Sequence, residues 1–113
     1  MDAKEQRIVI FRNEDGKQPF RTWLGGIRDQ RAVRKIEARV ARIRLGNFGD
    51  SKPVGEGVIE LRIDYGPGYR AYFGRDGDTI VVLLCGGDKG TQDKDIELAK
   101  QYWKEYKEKK DEQ

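Results

Sequence analysis

The strongest constraint on the fold is the run of residues 58–85, in which three apolar segments are separated by two glycine-containing turns. Along 58–63, VIELRI, every second residue is a large apolar one, which is the period of a strand with two different faces. The turns Tyr65-Gly66-Pro67-Gly68 and Arg75-Asp76-Gly77-Asp78 predict two hairpins. Residues 79–85, TIVVLLC, are continuously apolar, as expected for a strand covered on both faces. The run therefore predicts an antiparallel meander.

Three helices and two more strands are predicted outside this meander. Residues 7–11, RIVIF, are typical of a first strand, and 46–57 of a loop with a short edge strand. Apolar residues recur at helical spacing in a short segment near 19–27, in 29–45 and in 93–109. The order β-α-α-β-β-β-(β)-α predicts one α+β domain over 1–113, with helices packed on one face of a small twisted antiparallel sheet.

The absence of histidine and the presence of a single cysteine limit the chemistry available to the chain. Ser-His-Asp and Cys-His catalysis are excluded, and only carboxylates remain as metal ligands, so we expect no metal and no cofactor. Cys85 has no partner for an internal disulfide, which indicates a reducing compartment. No apolar run approaches the roughly 20 residues that span a bilayer, so we expect a cytoplasmic protein without membrane contact.

Positive charge is concentrated in the first half of the chain. Residues 1–56 contain 13 Lys and Arg against 8 Asp and Glu, whereas residues 57–113 contain 10 against 12. A stripe of basic residues is predicted opposite the apolar seam of helix 29–45: Arg28, Arg31, Lys35, Arg39 and Arg42. Such a stripe either binds an anionic partner or is simply a solvated helix face.

A second candidate site is the other face of the meander, where Glu60 and Arg62 are predicted beside Arg70 and Tyr72. An antiparallel sheet with one solvated face shows this alternation without any function. The functional interpretation is a basic surface whose arginine forks bind a phosphodiester. Loop 86–92, with Lys89 before a helix N-terminus, is either a third candidate anion site or an ordinary strand-to-helix connection.

At these residues the sequence resembles a known family. Trp23-Leu24, RLGNFGDSKPVGEGVIELRIDYGPGYRAYF at 44–73 and LLCGGDKGTQDKDIELAKQYW at 83–103 are similar to phage-derived addiction-module killer proteins of the RelE/HigB/ParE toxin superfamily. The resemblance covers about 7–106 and implies a RelE-like fold. It also implies a cognate antitoxin, often of helix-turn-helix type, which alone would contact operator DNA. Characterised members cleave messenger RNA, commonly on the ribosome, whereas ParE-type relatives poison DNA gyrase.

The functional residues of the family have counterparts at only some positions of this sequence. Arg70, within Gly68-Tyr69-Arg70, matches the arginine that contacts the scissile phosphate in RelE-type enzymes. The strand that carries two catalytic lysines in RelE has Val58 and Glu60 at those places, and Arg62 is the nearest cation. Lys89 and Gln92 stand in the loop where RelE supplies an arginine and a tyrosine. The histidines of HigB-type toxins are absent.

The leading hypothesis is a metal-independent mRNA endoribonuclease in which the RNA 2′-OH attacks the adjacent phosphate. In it, Glu60 is the base, Arg62 and Arg70 hold the phosphate, Lys89 assists the leaving group, and Tyr72 stacks on a base or donates a hydrogen bond. Residues expected to bind RNA are Arg28, Arg31, Lys35, Arg39, Arg42, Lys52 and Gln92. The alternative is a toxin or binding module of the same fold without turnover, such as a gyrase inhibitor or an inactive relative.

Overall fold

A computed structural model describes residues 4–112, and its elements follow the predicted order. The strands are β1 (Arg7–Ile10), β2 (Ser51–Gly55), β3 (Val58–Ile63), β4 (Tyr69–Asp76) and β5 (Ile80–Asp88). The helices are α1 (Pro19–Gly25), α2 (Gln30–Arg44) and α3 (Gln92–Asp111), with a 3-10 turn at Lys89–Thr91. The predicted edge strand in 46–57 is confirmed as β2. Helix α3 extends beyond the predicted end at 109, so its charged last turn is helical.

The five strands form one mixed sheet in the order β1-β5-β4-β3-β2. The meander is confirmed, because β2, β3, β4 and β5 pair antiparallel with their neighbours. The prediction of a wholly antiparallel sheet is wrong, because β1 pairs parallel with β5. Periodicity within a strand carries no information about its direction in the sheet, whereas the long connection through α1, α2 and the meander permits a parallel crossover.

The prediction that all helices pack on one face is also wrong. Phe20 of α1 and Ile36 of α2 join the core on the face of Leu61 and Phe73, as the alternation predicts. The other face is covered by α3, whose Trp103 packs in a second core with residues of three strands: Val58, Tyr72, Val82 and Leu84. The continuously apolar β5 therefore has a helical layer on each side, and the protein is an α+β domain with a three-layer arrangement.

Each helical layer approaches the sheet through a tryptophan that lies against a glycine. A Cβ atom added at Gly74 would lie 2.5 Å from the Trp103 ring, and one at Gly86 would collide with the Trp23 ring. Trp103 is buried, whereas Trp23 is half-buried. Cys85 is also buried as predicted, and burial raises the pKa of its thiol to about 12. Close packing of this kind requires glycine at both sheet positions.

We expect Gly74→Ala to lower the free energy of unfolding by about 1–3 kcal/mol, because the new methyl group overpacks the Trp103 contact. Gly25→Ala is the matched control, since a Cβ there has no neighbour within 4 Å and α1 gains a better helix former. Urea denaturation of both variants measures the difference. Equal loss of stability in the two variants would contradict the close contact between Gly74 and Trp103.

Candidate functional site

An open cleft of about 610 Å³ lies where β3 and β4 meet the turn at 64–68 and the turn at Lys89–Thr91. Four residues predicted from the sequence line it together: Arg62, Arg70, Lys89 and Gln92. Arg62 and Arg70 are register partners on adjacent strands, which places them side by side. The hairpin register thus brings two arginines together with the loop that begins α3.

Glu60 lies beneath this cleft and is completely buried. Its Oε1 accepts hydrogen bonds from Arg62 Nε at 3.3 Å and Arg70 Nη1 at 3.1 Å. Its Oε2 accepts from Tyr72 Oη at 3.1 Å and Gln92 Nε2 at 2.9 Å. A carboxylate has about four lone-pair sites, so these four donors occupy all of them. Glu60 therefore connects β3, β4 and the first residue of α3.

Electrostatics keep this carboxylate ionised. Burial by itself raises the pKa of Glu60, but hydrogen bonds from Gln92 and Tyr72 and the charge of Arg70 outweigh it, so the pKa is lowered. Burial and the neighbouring Glu60 carboxylate raise the pKa of Tyr72, which stays protonated as a donor. A carboxylate with a lowered pKa and no free lone pair is a poor proton acceptor. The expected role of Glu60 as a base is not supported by this geometry.

The predicted solvated face is wrong at two of its four positions. Glu60 and Tyr72 have no exposed surface, so the Tyr72 ring is not available to stack on a base. Arg62 keeps 40% of its side chain exposed, whereas only 11% of the Arg70 side chain is exposed. The alternation identified which residues share a face, but α3 covers that face at Glu60 and Tyr72 and leaves the arginines at its edge.

The turn that carries Lys89 is held by hydrogen bonds of its own residues and by a close approach between Gly87 and Asp95. The Thr91 hydroxyl donates a hydrogen bond to Asp95 Oδ2, and Gly90 N donates to Asp88 Oδ1 at 2.8 Å. A Cβ atom at Gly87 would overlap the Asp95 carboxylate. Local pattern does not distinguish Asp95 from Asp93, the other acidic residue in the first turn of α3. The two consecutive glycines before the turn, Gly86 and Gly87, are the sequence feature that could have indicated this close approach.

The basic stripe of α2 is only partly a solvated face. Arg28, Arg31, Lys35 and Arg42 are exposed, and Lys52 is exposed on β2. Arg39 instead donates from Nη1 to the backbone oxygen of Arg62 at 2.7 Å, and its Nη2 is buried without a hydrogen-bond partner among the described residues. Arg39 therefore joins α2 to β3 beside the cleft, and its expected role as an RNA contact does not fit this position.

Tyr65 connects the exposed part of the stripe to the cleft. Its hydroxyl donates to Asp29 Oδ2 at 2.9 Å, and Lys35 Nζ lies 5.2 Å from the centre of its ring. Arg31, Arg34 and Lys35 line a shallow depression against Tyr65, which itself begins the turn at the cleft wall. The arrangement places basic groups of α2 around Tyr65, next in the chain to the residues of the cleft wall Asp64 and Gly66.

Residues 4–112 contain no group of three or more Asp, Glu, His or Cys side chains arranged to hold a metal ion. In the same range, every helix is too short or too polar to cross a membrane.

We expect Glu60→Gln to lower the free energy of unfolding at pH 7 by about 3–5 kcal/mol, as when one partner of a buried ion pair is removed. The lowered pKa of Glu60 means that its contribution is present above the unfolded-state pKa of about 4.3 and is lost as pH falls through the folded-state value. The melting temperature, measured from pH 3 to 8, should therefore fall less steeply toward acid pH in Glu60→Gln than in the wild-type protein. Asp78→Asn, which removes an exposed pair with Lys4, is the control. Wild-type stability in Glu60→Gln would refute the bonding scheme.

Comparison with known proteins identifies the family. No solved structure matches the chain. A Haemophilus influenzae protein described as an uncharacterized protein is 54% identical over 81 residues, which are 72% of this chain and 82% of that protein. The family model described as Phage derived protein Gp49-like matches residues 28–104, which include Glu60 and the four cleft residues. This chain therefore belongs to the Gp49-like family of phage-derived proteins.

Proposed function

We propose that this protein is the toxin of a toxin–antitoxin pair, related to the RelE/HigB/ParE superfamily, and that it acts in the cytoplasm by cutting messenger RNA in the cleft. The Gp49-like family is associated with toxin–antitoxin systems, which supports a cognate antitoxin as partner. The observation that carries the proposal is the convergence of Arg62, Arg70 and Lys89 on one open cleft above a buried carboxylate.

The cleft suits the charge that develops during RNA cleavage. The 2′-oxygen forms a bond to phosphorus while the bond to the 5′-oxygen breaks, and the phosphoryl oxygens carry extra negative charge in between. Glu60 holds the Arg62 and Arg70 guanidinium groups in place before RNA binds. Preorganised cations stabilise a transition state without the cost of ordering them during the reaction. Glu60 is therefore a positioning residue in this proposal.

The proton transfers use exposed groups at the cleft. The 2′-OH loses a proton and the departing 5′-oxygen gains one, which leaves a 2′,3′-cyclic phosphate and a 5′-hydroxyl. We assign donation of a proton to the departing 5′-oxygen to the ammonium group of Lys89, an exposed residue that lines the cleft. Because Glu60 has no free lone pair, we assign acceptance of the 2′-OH proton to one of the two carboxylates of the cleft wall, Asp50 or Asp64.

The same saturation of Glu60 favours a second candidate, a toxin that binds its target in the cleft without turnover. The two are separated by inducing the protein in cells and mapping new RNA 5′ ends with and without translation. Growth arrest with new ends supports the nuclease, and a requirement for translation places it on the ribosome. Growth arrest without new ends supports the binding toxin. Unimpaired growth at confirmed expression of the folded protein contradicts both.

Substitutions in the cleft should separate catalysis from stability. Arg70→Ala is an ambiguous test, because Arg70 is buried against Glu60 and its loss also destabilises the fold. Arg62→Ala and Lys89→Ala remove more exposed groups, and each should slow RNA cleavage by about 10² to 10³. Lys94→Ala, an exposed lysine of α3 outside the cleft, is the control. Cleavage rates of the purified variants on a single-stranded RNA measure the effect, and unchanged rates would refute the site.

The exposed basic groups of α2 should contribute salt-dependent affinity for RNA. Reversing Arg31 and Lys35 to Glu removes two phosphate contacts, so the slope of log affinity against log salt should decrease by about 1.4. Arg39 is left intact because it bonds the Arg62 carbonyl. Lys104→Glu with Lys109→Glu is the charge-matched control on α3. Fluorescence anisotropy with single-stranded RNA measures both, and equal slopes in the two double variants would show that the stripe is a solvated face.

A further inference from the structure

A row of three charged residues crosses the sheet at the cleft, from the start of β2 to β4. Arg62 of β3 and Arg70 of β4 are register partners. On the other side of β3, Arg62 N donates a hydrogen bond to Asp50 O at 2.9 Å, and Ser51 pairs with Leu61 as the next step of the ladder. Asp50 is therefore directly opposite Arg62. Because directly opposite residues of antiparallel strands carry their side chains on the same face, the Asp50 carboxylate lies on the face of the two guanidinium groups.

Lys89 lies on the other side of the arginine pair from Asp50. The strands follow one another in the order β5, β4, β3, β2, roughly 4.8 Å apart. Asp50 is on the β2 side of the pair, whereas Lys89 follows the end of β5. A Cβ atom at Gly68, just before β4, would lie 3.5 Å from the Lys89 Cβ. A phosphate held between Arg62 and Arg70 therefore has a carboxylate on one side and an ammonium group on the other.

This separation is what an in-line displacement at phosphorus requires. The attacking and leaving oxygens lie roughly in line, on opposite sides of the phosphorus atom. A base that serves the attacking oxygen and an acid that serves the leaving oxygen are then also separated by the phosphate. Asp50 and Lys89 meet this condition. Asp64 does not, because it lies past the end of β3, at the turn that contains Gly68 and on the side of Lys89.

The Asp50 carboxylate is also free to accept a proton, unlike that of Glu60. Asp50 is exposed and lines the cleft, and within residues 4–112 its carboxylate takes part in no ion pair. Its backbone is nevertheless held in place by the bond from Arg62 N. The preceding Gly49 lies against the Arg39 guanidinium group, where a Cβ atom would be 2.9 Å from Nη2. A fixed backbone thus presents a carboxylate with unoccupied lone pairs to the cleft.

We propose that Asp50 is the general base of RNA cleavage in this cleft and acts from the side of the arginine pair opposite Lys89. This inference rests on the proposed nuclease function. Asp50 takes the proton of the 2′-OH, the 2′-oxygen forms its bond to phosphorus, and the bond from phosphorus to the 5′-oxygen breaks. The 5′-oxygen keeps the electron pair of that bond and takes a proton from the Lys89 ammonium group. Proton exchange with water then restores both side chains.

Asp50→Asn should separate the rate of cleavage from the affinity for RNA. Asn has the same shape and keeps the backbone oxygen that Arg62 N contacts, so the fold is retained. We expect cleavage of bound RNA to slow by about 10² to 10⁴. Affinity for an RNA made uncleavable by a 2′-deoxy sugar at the cleavage position should be equal or higher, because a carboxylate repels the phosphate. Asp93→Asn, an exposed carboxylate of α3 outside the cleft, is the control. Unchanged cleavage by Asp50→Asn would overturn the proposal.

A substrate with sulfur in place of the leaving 5′-oxygen tests which side of the phosphate Asp50 serves. A thiolate leaves without being protonated, because a thiol is a much stronger acid than an alcohol, so this substrate does not need the Lys89 proton. We expect it to restore the rate of Lys89→Ala to within about tenfold of the wild-type rate and to leave Asp50→Asn slow. Restoration of Asp50→Asn would place Asp50 on the side of the leaving group and overturn the proposal.

Asp64→Asn distinguishes between the two carboxylates of the cleft wall. We expect Asp50→Asn to cleave at least about tenfold more slowly than Asp64→Asn. The reverse order would assign the base to Asp64 and overturn this inference, while the proposed nuclease would stand. Failure of the folded wild-type protein to cleave either the RNA or its sulfur-containing counterpart would contradict the nuclease and this inference together.

Discussion

The hydrogen bonds of the buried Glu60 carboxylate are the interactions on which both the packing of α3 against the sheet and the shape of the cleft depend. Transferring a charge from water to the protein interior costs several kcal/mol unless hydrogen bonds and opposite charges replace the lost hydration. Here four donors supply that replacement, and they come from β3, β4 and α3. The side chain that stabilises the packing of these elements therefore also determines where two arginines lie.

Glycines in the sheet decide how closely the helices approach, and so where the loop groups of the cleft lie. Gly74 accommodates Trp103, which fixes α3 over β4 and β5. Gly87 accommodates the Asp95 carboxylate, which in turn binds Thr91 at the start of α3. The first residue of that helix, Gln92, then reaches Glu60 at 2.9 Å. Backbone positions without a Cβ thus connect the packing of the second layer to the chemistry of the cleft.

Local pattern alone determined the strands, the helices and which residues share a face. The alternation in 58–63 and 69–73 placed Leu61 with Ala71 and Phe73, and the structure confirms that core. It also put Glu60, Arg62, Arg70 and Tyr72 together, because side-chain direction in a strand depends only on the period. Family resemblance, not periodicity, singled out Arg70 among them.

Only the tertiary structure decided what covers that second face. α3 buries Glu60 and Tyr72 and turns an expected solvated surface into a hydrogen-bonded core, because Ala99 and Trp103 pack there. The parallel pairing of β1, the inward bond of Arg39 and the place of Asp95 under the Lys89 turn are equally non-local. Each depends on contacts between residues far apart in the chain or on the close approach of two elements, and periodicity within one element carries no information about either.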